Sequence, residues 1–160
     1  GNTLISSAGI DESNANNYMV LWPHHIQALL KDIAAHLKKK YKIKQVGIIA
    51  TDSHSVPLRF GTVGISIGSY GIEPLHDYRG SKDIFGRTLK STQSNVVDAL
   101  AAAGVFLMGE GNEQVPCLIA RGTPFVSFTH NPRAYKKLLV SPKEDLYYPL
   151  FRAFQKGGKK

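Results

Sequence analysis

Residues 24–40 constrain the fold most. Their apolar side chains Ile26, Leu29, Leu30, Ile33, Ala34 and Leu37 recur at i, i+3, i+4 and i+7, with Pro23 tolerated ahead of the first turn, so the spacing predicts an amphipathic helix. A helix with one apolar stripe must bury it against another element, and the chain supplies strands directly afterwards. Residues 45–51, Gln-Val-Gly-Ile-Ile-Ala-Thr, form a short β-branched run that reads as a buried strand ending at Asp52 and Ser53, where α/β-type sites usually lie. Residues 62–69 alternate, with Val63, Ile65 and Ile67 on one face and Thr62, Gly64, Ser66 and Gly68 on the other. The small residues of that second face let something approach closely.

Farther along, residues 70–87 are punctuated by Gly71, Pro74, Gly80 and Gly86 and read as an irregular stretch carrying Asp77, Arg79, Asp83 and Arg87. Residues 91–108 read as a second helix with Val96, Val97, Leu100, Ala101 and Gly104 on its buried side and Gly109 as its stop. Residues 115–121 and 124–128 read as two strands of a hairpin around Gly122-Thr123. Ser141-Pro142-Lys143-Glu144 is a capping box that opens a short helix for Pro149 to kink or end. The expectation is an α+β fold, a mixed sheet with hairpins packed by amphipathic helices. Residues 1–156 read as a single domain, or the larger part of one, and residues 157–160 as a disordered tail.

Composition narrows the function classes. The chain has 160 residues, 42% of them hydrophobic, enough to fill one core. Its longest nearly apolar stretch, residues 99–108, is short of the ~20 residues that span a bilayer, and its start lacks the basic-then-apolar order of a signal peptide. The single cysteine, Cys117, excludes an intrachain disulfide and reads as a small buried hydrophobe. A cytoplasmic protein is expected. The net charge of +8 suits an anionic partner, but Lys38, Lys39, Lys40, Lys42 and Lys44 gather at a helix end, where cations complement the dipole. No basic stripe interleaved with aromatics appears, which argues against nucleic acid.

Three acids sit in short flexible turns: Asp11 in Gly9-Ile10-Asp11-Glu12-Ser13-Asn14, Asp52 in Thr51-Asp52-Ser53, and Glu110 in Met108-Gly109-Glu110-Gly111. Hard divalent cations that hold nucleotide phosphates take oxygen ligands from separate loops, so the three together point to metal-assisted phosphate chemistry. Taken singly, Asp11 reads equally as a turn cap, Asp52 as an Asx-turn residue and Glu110 as a solvated acid.

In order and spacing, these motifs resemble those of the coenzyme F420-0:L-glutamate ligases, GTP-dependent gamma-glutamyl ligases. The anchors are Ser7-Ala8-Gly9-Ile10-Asp11-Glu12-Ser13-Asn14, then Thr51-Asp52-Ser53 with Pro57, Arg59 and Gly61. They continue through Asp77-Tyr78-Arg79-Gly80 with Asp83, Phe85-Gly86 and Leu89, then Met108-Gly109-Glu110, Ala120-Arg121-Gly122 and Pro142-Lys143-Glu144-Asp145-Leu146. The resemblance implies a divalent metal, manganese or magnesium, on Asp11, Asp52, Ser53 and Glu110. It implies GTP against Asn14 and along Met108, Gly109, Glu110, Gly111, Asn112, Glu113, Gln114 and Val115. Transfer of the GTP gamma-phosphoryl group to a carboxylate of F420-0, followed by attack of the L-glutamate amine on the acyl phosphate, is the implied reaction. Arg59 and Arg79 are the catalytic candidates for holding carboxylate or phosphate, with Arg87 behind them. A homodimer is also implied, with Tyr147, Tyr148, Phe151 and Phe154 available for the contact.

The pattern departs from the family in two places. After Asp52-Ser53 the family has an aromatic residue and Gly-Arg-Pro, whereas this chain reads His54-Ser55-Val56-Pro57, with Val56 where an Arg is expected. Family members also carry an amino-terminal portion ahead of the first motif, while this chain opens at Gly1 without an initiator Met. Two alternatives stay open: a related amide-forming ligase acting on another carboxylate, and a non-catalytic relative serving as a binding module.

Overall fold

The computed structural model describes residues 9–150 and 152. The expected tail at 157–160 and the side chains of Phe151 and Phe154 lie outside the described residues. In chain order the elements are β1 (Ile10–Asp11), β2 (Val20–Leu21), α1 (Ile26–Tyr41), β3 (Ile48–Ser55), β4 (Thr62–Tyr70), β5 (Leu75–Asp77), β6 (Gln93–Asn95) and α2 (Val96–Met108), followed by a 3-10 turn at Ala134–Leu138. The α+β expectation is borne out. The described strands pair antiparallel in three two-stranded ladders: β1 with β2, β3 with β4, and β5 with β6.

The β3–β4 hairpin and the two helices form the framework. Along β4 the small-residue face is the covered one: Gly64 and Gly68 are buried, and Val63 is exposed. A Cβ on Gly64 would stand 2.5 Å from the Ala101 carbonyl oxygen and 2.6 Å from Val105 Cβ. At Gly68 it would meet Gln27 Nε2 at 3.1 Å and Leu30 Cδ1 at 3.2 Å. The close approach expected of this face is therefore made by α2 at one end and α1 at the other. Within the helices, Leu30 and Ala34 of α1 and Val96, Val97, Ala101 and Val105 of α2 are buried, while Leu29 and Ile33 stay exposed on the flank of α1. Ile72, Val96 and Val97 form the centre of the core, with Ile49, Leu100, Val126 and Leu138 packed around it.

Several boundaries differ from the sequence expectation. β3 runs on to Ser55 with its register shifting between Ala50 and Thr51, so Asp52 and Ser53 lie inside the strand, immediately past a bulge, and not at its end. Residues 93–95 pair with β5, and α2 begins only at Val96, because the Asn95 side chain accepts the Asp98 backbone N–H at 3.1 Å and caps the helix there. The stretch 70–87 is accordingly less irregular than expected, since it contains β5.

The hairpin expected from 115–121 and 124–128 does not form: within residues 115–128 only Phe128 makes a β-bridge, and its partner is Ile72. Pro116 and Pro124 cannot donate to a ladder, and Phe125 takes a positive φ of 63° that breaks an extended run. Cys117 in this segment is exposed, contrary to the expected buried position. At Ser141 the Glu144 and Asp145 N–H groups bond to its carbonyl in a turn, and helical backbone appears from Tyr148. Pro149 thus stands in a first helical turn, where its missing N–H costs nothing, and does not end a helix.

Candidate functional site

A cavity of about 860 Å³ opens where three segments meet: the β1–β2 hairpin, the bulged middle of β3 with Thr62 of β4, and the loop leaving the carboxyl end of α2. It collects the four expected metal ligands, Asp11, Asp52, Ser53 and Glu110. Every expected nucleotide contact is there too: Asn14, Met108, Gly109, Glu110, Gly111, Asn112, Glu113, Gln114 and Val115. Positions 97 residues apart in sequence are thus drawn to one rim, and a single contact ties them, Asn14 Nδ2 donating to the Gly111 carbonyl at 3.1 Å.

Local geometry orients each acid. Asp11 Oδ1 accepts the Ser13 hydroxyl and, at 2.8 Å, the Ser13 N–H, and these bonds hold the Asp11 carboxyl below the usual carboxylate range. Asp52 is gripped on both oxygens: Oδ1 accepts the Ser53 N–H at 2.8 Å, and Oδ2 accepts the Trp22 indole N–H at 2.6 Å. Gly109, the C-cap of α2, has φ 84° and donates its N–H to the Val105 carbonyl, which turns the chain out of the helix. Beyond it the Glu113 carboxylate folds back to accept the Gly111 N–H at 2.8 Å.

The charge of this cavity is opposite to that of the chain. Asp11, Asp52, Glu110 and Glu113 line it, and no Lys or Arg is among the described residues that do. The carboxyl end of α2, with Val105, Met108 and Gly109 in the wall and no basic residue in its last turn, adds the partial negative charge of its unpaired carbonyls. Hard oxygen donors on a negative surface fit Mg²⁺ or Mn²⁺ in chemistry. Among the described residues no three His, Cys, Asp or Glu side chains stand close enough to form an all-protein cage. That suits a cation whose coordination is shared between the acids of the rim and phosphate oxygens and water.

The arginines behave differently. Arg59 lies in the turn between β3 and β4, outside the cavity wall, with its backbone N–H on the Val56 carbonyl at 3.2 Å. Arg79 is also outside, paired with Asp77 at 2.6 Å in an exposed bidentate contact that holds the Asp77 carboxyl down at about 2. Asp83 receives the Arg87 N–H at 2.8 Å in a local turn. None of the three reaches the cavity in this conformation. Ser13, Thr51, His54, Ser55 and Thr62 also line the cavity without having been expected as site residues, and Trp22, outside its wall, bonds to Asp52. Ser13 follows from its place in the first acidic turn, but Trp22 is 30 residues from Asp52 and no local pattern links them.

A sequence profile of the F420-0:gamma-glutamyl ligase family matches residues 1–122. The coenzyme F420:L-glutamate ligase of Methanopyrus kandleri is 34% identical over 149 residues, covering 92% of this chain and 59% of that protein. Its counterpart in Methanocaldococcus jannaschii is 39% identical over 142 residues, 89% of this chain and 55% of that protein. In Methanococcus maripaludis the figures are 37% over 144 residues, 90% and 56%. The chain therefore spans a little over half the length of these curated relatives. Among the described residues no helix is long and apolar enough to cross a membrane.

Proposed function

We propose, since this chain belongs to the F420-0:gamma-glutamyl ligase family, that its cavity is the nucleotide and metal site of a ligase joining L-glutamate to coenzyme F420-0 at the expense of GTP. The observation that carries this is the acid-lined cavity without Lys or Arg among its described residues. A triphosphate carries several negative charges and would be repelled by Asp11, Asp52, Glu110 and Glu113 unless a cation stood between.

Asp11, Asp52, Ser53 and Glu110 are the residues that would hold Mn²⁺ or Mg²⁺. Such an ion would neutralise the charge of the nucleotide's phosphates. The chain's own residues bind and orient. Asn14 and the loop from Met108 to Val115 take the nucleotide, with Gly109 and Gly111 allowing close backbone approach. Ionised Asp11, kept so by Ser13, offers charge at the rim. The γ-phosphoryl group passes to a carboxylate of F420-0, GDP leaves, and the glutamate amine attacks the acyl carbon, expelling phosphate and forming the amide. Arg59 and Arg79 stand outside the cavity, so we assign them no contact within it; recruitment of either to the acyl group would require breaking the Asp77 pair in the case of Arg79. The protein would work in the cytoplasm, where GTP is available, and as a homodimer, for which exposed Leu146, Tyr147 and Leu150 offer apolar surface.

The test is phosphate release from GTP with Mn²⁺, F420-0 and L-glutamate, comparing the chain with its Asp52→Ala variant. Release that needs both acceptors and drops at least a hundredfold in the variant is expected. Release indifferent to F420-0, or unchanged in the variant, would overturn the assignment.

A further inference from the structure

Trp22 is the chain's sole tryptophan, and neither the family motifs nor the proposed reaction uses it. It follows β2 directly and is half-buried, its indole lying against the backbone of Gly9, which precedes β1. A Cβ on Gly9 would stand 2.7 Å from Trp22 Cε2 and 2.9 Å from Nε1, so a larger residue there would displace the ring. The same ring donates its N–H to Asp52 Oδ2 at 2.6 Å, while the Ser53 N–H holds Oδ1. One side chain therefore touches both segments that carry the acids, the hairpin of Asp11 and the bulged strand of Asp52.

We propose that Trp22 is a positioning residue of the cation site, its N–H aiming the Asp52 carboxylate and its ring, seated on Gly9, keeping the Asp11 hairpin at the same rim. The inference rests on the assignment of Asp52 as a metal ligand. Partners that orient a ligating carboxylate commonly change metal affinity 10- to 100-fold when removed. An indole suits this place: it is a donor only and cannot compete for the cation, and its area fills the gap between hairpin and strand without adding charge.

The experiment titrates Mn²⁺ alone into the full chain and reads free Mn²⁺ by its paramagnetic resonance, for the native protein, Trp22→Phe and Asp52→Asn. Trp22→Phe keeps a ring and removes the N–H; far-UV circular dichroism tests that it folds. Expected are binding by the native protein, affinity about tenfold weaker in Trp22→Phe, and binding abolished in Asp52→Asn. In the native chain, tryptophan fluorescence should be quenched by paramagnetic Mn²⁺ with the same midpoint and not by Mg²⁺, a signal that a purely structural tryptophan remote from the ion would not give. Equal affinity in native protein and a folded Trp22→Phe would overturn the role of Trp22 while leaving the metal site standing. Absence of quenching at saturating Mn²⁺ would do the same without any variant. No Mn²⁺ binding that depends on Asp52 would overturn the site assignment, and the role of Trp22 with it.

Discussion

The buried face of β4 and the rim of the cavity are held by different forces. On β4, Gly64 and Gly68 let α2 and α1 approach until backbone and side chains touch, and Val97, Ala101, Leu30 and Ala34 disappear from solvent around them. At the rim, a few polar contacts bridge segments far apart in sequence, Asn14 to Gly111 and Trp22 to Asp52, with Tyr18, Met19, Val20 and Leu21 left exposed nearby. Apolar burial scales with area and sets global stability, whereas a lone hydrogen bond contributes about 1 kcal/mol. The framework is therefore the stable unit, and the rim a low-stability surface that can adjust around a ligand.

Substitutions on each side should separate the two. The largest effect belongs to the framework: Gly64→Ala drives a methyl group into the Ala101 carbonyl and Val105, and should cost about 3 kcal/mol, read as a fall of roughly 10 °C in Tm. Asn14→Ala should lower Tm by only about 3 °C and weaken Mn²⁺-dependent GTP binding roughly fivefold, the worth of one hydrogen bond. Equal losses of stability in the two variants would break the contrast; a silent Asn14→Ala would narrow the rim to Trp22 and the acids.

The framework was legible because its signals are local and periodic. The 3.6-residue spacing marks α1, and alternation marks β4, since both periods are written in consecutive residues. The acidic turns and the loop after α2 were legible as ordered motifs, and the fold gathers them around one cavity. What escaped depends on partners. Residues 115–121 have strand composition but find no ladder among the described residues, and Cys117 is exposed with them. β6 looks helical until its pairing with β5 and the Asn95 cap are taken into account. Trp22 meets Asp52 only through the tertiary fold, and whether Arg59, Arg79 or Arg87 lines the cavity, which none does here, is likewise not written in any local pattern.

The most direct test of the account is calorimetric titration of GTP into the chain with Mn²⁺ and again with a chelator. A negative cavity that takes nucleotide only through a cation predicts binding with Mn²⁺, none with the chelator, and loss of the Mn²⁺-dependent heat in Asp52→Ala. Equally tight GTP binding in the presence of chelator would contradict it.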